Sequence, residues 1–160
     1  MPTLDQCIVD ACKAAWDESF LRGTPNRSNC SGFVKSVAQT LGVPLPAAVN
    51  ADGIADTVAS VAGWMQLVSG PAALHRATLG HFVLALLRGS DHRPPALHGH
   101  VGVIVGGPLD RGLYPPIWCG SLGRAQSRGD KSVGLVWNPA VRDNVEYWAY
   151  TLKVCRAPAT

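Results

Sequence analysis

Apolar residues recur at three- and four-residue spacing from the start of the chain: Leu4, Cys7, Ile8, Ala11, Cys12, Ala15 and Trp16 share one stripe. That period predicts a helix over residues 3–20, opened by a Thr3–Gln6 capping box and followed by a turn at Gly23-Thr24-Pro25-Asn26. A second helix is predicted over 30–41. Phe33, Val34, Val37, Ala38 and Leu41 form its apolar face, Ser28 or Asn29 caps it, and Gly42 with Pro44 stops it. The period weakens over 46–80, where Ile54, Val58, Val61, Ala62 and Met65 suit a helix and residues 71–79 another that begins with proline. Beyond Gly80 the pattern changes to short apolar runs, and 82–87, 101–105, 117–121, 133–137 and 145–152 read as strands. Turn-rich segments at 91–95 and 123–131 separate them, and 123–130 has a flexible composition. Helices first and strands afterwards predict an α+β domain with N-terminal helices packed on a mainly antiparallel sheet.

With 160 residues the chain is read as a single domain, 1–160, large enough to bury a core unaided. Charged residues make up 16%, against about 25% in an average domain, and the net charge of +3 is scattered. No basic run interleaved with aromatics occurs, which argues against a nucleic-acid partner. No basic segment followed by a long apolar one is present, so neither a signal peptide nor membrane insertion is expected. Nothing in the pattern calls for an obligate interface, and a monomer is expected.

The 5 cysteines are Cys7, Cys12, Cys30, Cys119 and Cys155, none of them in a CxxC pair. An odd count leaves at least one thiol free, and Cys30 is the natural candidate. Cys7 and Cys155 lie near opposite ends of the chain. Chain ends often approach each other, so a bridge is one reading and two small buried hydrophobes the other.

Chemistry concentrates in two short stretches. Asn29-Cys30-Ser31-Gly32-Phe33 puts a thiol where loop becomes helix, and the open N–H groups of a first helical turn favour the thiolate. A base is supplied by Gly99-His100-Val101-Gly102. His98 and His100 alternate on one predicted strand face, and His100 has the more room, between Gly99 and Gly102. His75, His81 and His92 read as structural or solvated. Cys119, Ser121 or a backbone carbonyl is the candidate to orient the imidazole, and the backbone N–H of Cys30 to meet an oxyanion. The competing chemistry is a metal held by His98, His100, Cys30 and Cys119.

NCSGFV with GHVGVIVG resembles the catalytic signatures of NlpC-type peptidoglycan peptidases, a compact branch of the papain-like fold. The wider set LDQCIVDACKAAWD, GTPNRSNCSGFV, LGVPLP, GHVGVIVGGPL, YPPIWCGS and KSVGLVWN is similar to the type VI secretion amidase effectors of family 1; residues 46–97 depart from that pattern. The resemblance implies a papain-like cysteine amidase, without metal or organic cofactor, that cuts the γ-D-glutamyl–meso-diaminopimelate bond of peptidoglycan stem peptides. It implies Cys30 as nucleophile, His100 as base, Cys119 as third site residue and a Cys7–Cys155 disulfide. It further implies synthesis in a donor cytoplasm, delivery into a target cell's periplasm, and a periplasmic immunity protein that occludes the site. Stem peptides carry free carboxylates, for which Arg93, Arg124, Arg128 and Lys131 are candidate partners, with Ser31 and Ser121 lining the approach. From another class, the alternative is a non-catalytic papain-like module that binds wall peptide or a protein.

Overall fold

The computed structural model describes residues 4–156. In chain order its elements are α1 (Gln6–Trp16), α2 (Cys30–Leu41), α3 (Ala51–Ser60), β1 (Trp64–Leu67), α4 (Gly70–Thr78), β2 (His81–Leu87), β3 (His100–Ile104), β4 (Pro116–Cys119), β5 (Ser127–Ser132), α5 (Val133–Val136) and β6 (Glu146–Lys153). The strands form one 6-stranded sheet in the order β1-β6-β2-β3-β4-β5, and every neighbouring pair is antiparallel. The α+β expectation holds.

β2 explains the layering. Its HFVLALL run is buried throughout, as a strand covered on both faces requires. Phe82, Leu84 and Leu86 face a core built with Ile8, Phe33, Val34, Val37, Ile54 and Val58 of α1–α3. Val83, Ala85 and Leu87 face a second core with Ala73 and Ala77 of α4, Val133 and Trp137. β3 divides in the same way, Val101 and Val103 toward α2 and Ile104 toward the second core. Trp16, Phe33 and Trp118 meet at ring distances of 5.8–6.4 Å and join α1, α2 and β4 in one aromatic cluster.

Three expectations need correction. Met65 lies in β1 rather than in a helix, because α3 ends at Ser60 and Gly63 turns the chain with φ +103°. The 123–131 segment is in large part β5, a charged edge strand with no apolar alternation to reveal it. Residues 133–136 form one helical turn instead of a strand; a run that short carries no usable period. The first helix is also shorter than 3–20, and Thr3 of the capping box lies outside the described residues. At its start the Asp5 carboxylate accepts from the Gly106 N–H at 2.7 Å, fixing α1 to the end of β3.

Cys7 and Cys155 are bridged, with Cα atoms 5.6 Å apart at a sequence separation of 148. The bridge staples α1 to the chain following β6, where Val154 and Cys155 bond back to the Gly80 carbonyl. Among the described residues no helix is long and apolar enough to cross a membrane. Closing so long a loop removes much unfolded-state freedom. Cys7→Ser should therefore lower unfolding free energy by about 2–5 kcal/mol, read as a drop in urea midpoint with native circular dichroism retained at neutral pH. An unchanged midpoint contradicts this.

Candidate active site

The start of α2 is held by polar groups sealed inside the fold. Asn26 is fully buried. Its amide nitrogen donates to the Ala15 carbonyl and to Ser36 Oγ, both at 2.8 Å, and its Oδ1 accepts from Phe20 N–H at 3.0 Å. One amide thus ties the end of α1 to α2. Asn29 caps α2, accepting from the Gly32 N–H and from Ser31 Oγ, each at 3.1 Å. Gly32 leaves room for this cap, since a methyl group in its place would lie 2.6 Å from the Asn29 amide nitrogen and push the capping side chain aside.

The same turn is pinned to the sheet. Ser121 N–H and the Gln126 amide both donate to the Arg27 carbonyl, at 2.9 and 2.7 Å. Gly120 passes so close to the Asn26 carbonyl that no side chain fits. On the far side the Lys35 ammonium donates to the Ala47 and Val49 carbonyls and fixes the chain leading into α3.

These restraints create a cavity of about 400 Å³ at the sheet's end, lined among others by Asn29, Cys30, Ser31, His98, His100, Ser121 and Arg124. Cys30 is half-buried as the first residue of α2, its Sγ 4.0 Å from the Gly99 carbonyl oxygen. The helix start does not make it a thiolate. Burial pushes its pKa up, and the opposing backbone groups of Val101, Ser31 and Cys30 and the charge of Arg124 only moderate that rise. The expectation of a helix-stabilised anion is corrected accordingly: desolvation outweighs it.

His100 opens β3, is 4% exposed, and meets the Trp137 ring edge-on at 5.1 Å. Burial first, then the charges of Arg124 and His92, lower its pKa to about 3, so the imidazole is neutral at physiological pH. Its Nε2 is sealed from solvent without a partner among the described residues. Cys119 ends β4, fully buried, with its thiol 3.7 Å from the Ala125 carbonyl. Burial and then the charge of Cys30 push it up to about 12, which leaves a neutral thiol.

The structure therefore gathers Cys30, His100, Ser31, Ser121 and Arg124 at one cavity. Arg93 lines a neighbouring cavity of about 450 Å³, which shares Ala96 and Arg124 with the first. Its guanidinium donates to the Ser90 and His92 carbonyls of its own loop. Arg128 stacks over Trp16 and Trp118, and Lys131 donates to the Gln126 carbonyl; neither reaches the cavity wall. His98 is exposed in the loop before β3, so it does not alternate with His100 on a strand. Among the described residues no group of three or more His, Cys, Asp or Glu is arranged to hold a metal ion. Of the two readings of His92, structural or solvated, its 3% exposure supports the first, and Trp137, which no sequence signal singled out, walls the imidazole. A proline-rich loop gives no signal of burial.

No protein-family model matches the chain. The chain is 49% identical over 160 residues to the peptidoglycan amidase Tse1 of Pseudomonas aeruginosa, a match that covers 99% of this chain and 98% of that protein.

Among the described residues the free cysteines are Cys12, Cys30 and Cys119, and Cys30 alone of these is not fully buried. Iodoacetamide should label Cys30 and spare the other two in the native protein. Because its pKa is raised above 9.0, the labelling rate should climb about tenfold per pH unit between about pH 6 and 8. A rate plateau across that range, the mark of a preformed thiolate–imidazolium pair, contradicts the assignment.

Proposed function

We propose that this chain, which belongs to the family of the peptidoglycan amidase Tse1, is a papain-like cysteine amidase that hydrolyses the γ-D-glutamyl–meso-diaminopimelate bond of stem peptides. The observation that carries the reading is the joint placement of Cys30 and His100 on one open cavity at the N-terminus of a helix.

Both groups rest uncharged, so proton transfer and attack proceed together. As Cys30 Sγ adds to the γ-carbonyl carbon, neutral His100 takes the thiol proton. The negative charge that develops on the carbonyl oxygen meets the N–H groups of Cys30 and Ser31, which precede the first helical hydrogen bond and lie beside Sγ. The imidazolium then gives its proton to the departing diaminopimelate nitrogen, leaving a thioester. His100 next takes a proton from water, which attacks the thioester and returns the thiol. Cys119, as a neutral buried thiol, packs the wall behind the base.

Arg124 supports the choice of an anionic substrate. It is exposed at the cavity mouth and forms no salt bridge among the described residues, yet its charge reaches both Cys30 and His100. A stem-peptide carboxylate is the partner it would take, with Ser31 and Ser121 lining the approach and Arg93 beyond it. The Cys7–Cys155 bridge suits an oxidising compartment such as a periplasm. The resemblance to type VI amidase effectors supports delivery there by that apparatus, with an immunity protein as the partner that occludes the cavity.

Digestion of purified sacculi followed by mass spectrometry tests the reading. The wild-type protein should release fragments with new diaminopimelate amine termini. Cys30→Ala and His100→Ala should each cut turnover by at least about a thousandfold with the fold retained. Arg124→Ala should raise KM several-fold, roughly the worth of one exposed charge contact, and change kcat little. Intact stems, or near wild-type hydrolysis by Cys30→Ala, defeat the assignment in favour of a binding module.

A further inference from the structure

Three buried polar atoms lie around the base without a protein partner among the described residues: Nε2 of His100, Nε2 of His92 and Nε1 of Trp137. They share one neighbourhood. Trp137 touches the His100 ring at 5.1 Å, His92 and Trp137 line the same cavity, and the charge of His92 acts on His100. An unpaired buried polar group is costly, so three in one neighbourhood point to a common partner.

The hydrogen-bonding roles narrow what that partner does. His92 Nδ1 lies 2.9 Å from the Arg88 carbonyl oxygen, so Nδ1 carries the proton and Nε2 carries the lone pair. Trp137 Nε1 is a donor only. The Cys119 thiol is directed to the Ala125 carbonyl. Once His100 takes the thiol proton, both of its nitrogens are donors, and its sealed Nε2–H needs an acceptor. Of the three atoms, His92 Nε2 is the one with acceptor capacity. A single water in this space would accept from His100 and Trp137 and donate to His92, which would satisfy all three.

His92 is also held firmly. Gly89, at the start of its loop, donates its N–H to Asp52 Oδ1 at 3.0 Å and accepts from Ala96 N–H at 2.9 Å. Asn138 binds the Arg93 carbonyl at 3.3 Å.

We propose that His92 is the positioning residue of the base: through one buried water its Nε2 takes the hydrogen bond of His100 Nε2–H, orienting the ring with Nδ1 toward Cys30 and stabilising the imidazolium formed during attack. This rests on the amidase reading for its kinetic consequence and on the structure alone for its geometry. Cys119, the third site residue implied by the family resemblance, is then a packing group.

Nitrogen-15 spectra of histidine-labelled protein, recorded without substrate, combined with kinetics on stem peptides, test it. His100 in the unsubstituted protein should carry its proton on Nε2, in slow exchange with solvent. His92→Phe should abolish that protection and lower kcat at least about tenfold with KM within about twofold. His92→Gln, whose amide oxygen restores an acceptor, should recover most of the loss. A His100 proton on Nδ1 in the unsubstituted protein overturns the proposal and needs no variant to fold. So does wild-type kcat in His92→Phe, or a glutamine variant as impaired as the phenylalanine one at equal melting temperature. A protein with the Nε2–H form that leaves stems intact sinks the amidase reading alone.

Discussion

Burial of a thiol and an imidazole at the open end of the sheet is the constraint on which the site depends. Desolvation raises the pKa of Cys30 and lowers that of His100 to about 3, so each is held in its uncharged form. A buried ion pair would need strong compensation, and Arg124 opposes the imidazolium while it favours the thiolate. In the proposed mechanism the pair therefore keeps its charge separation for the reaction itself. In that mechanism the helix N-terminus acts later than the residue pattern suggests: its N–H groups would serve the oxyanion more than the resting sulfur.

Such a pair works only if its geometry is fixed, and the fold spends its buried polar groups on that. Asn26 locks the end of α1 to α2, Asn29 closes the first helical turn, and Ser121 and Gln126 bind the Arg27 carbonyl from the β4 side. Gly32 and Gly120 let these segments touch. The disulfide fastens α1, and with it Asn26, to the chain after β6, and the Asp5–Gly106 hydrogen bond fastens it to the end of β3. The contacts that stabilise the fold are thus the ones that shape the proposed site.

Much of this is legible from residue order. Phe33, Val34, Val37 and Ala38 give α2 its period, Asn29 and Gly42 mark its ends, and the helix runs Cys30–Leu41 as expected. The apolar runs of β2 and β3 announce buried strands, and the run at 145–152 announces the half-buried β6. Elements shaped by tertiary contact do not show. β5 is polar because it is an edge, β1 is four residues beside β6, and the Val133–Val136 turn follows from the packing of Val133 and Trp137 on the sheet. Cys30 and His100 can be read because glycines and a helix start surround them. The protonation state of Cys30 cannot, since it is set by how deeply other segments cover it. His92 is hidden for a related reason: a loop rich in proline looks solvated until Arg88 and Trp137 are seen beside it.

The most direct measurement uses a γ-D-glutamyl stem-peptide analogue that carries a chloromethyl ketone in place of the scissile amide, followed by peptide mapping of the inactivated protein. The account predicts one adduct per molecule, on Cys30, formed in step with the loss of turnover and far more slowly in the absence of the His100 imidazole. Full modification of Cys30 with hydrolysis undiminished, or inactivation with Cys30 unmodified, would contradict it.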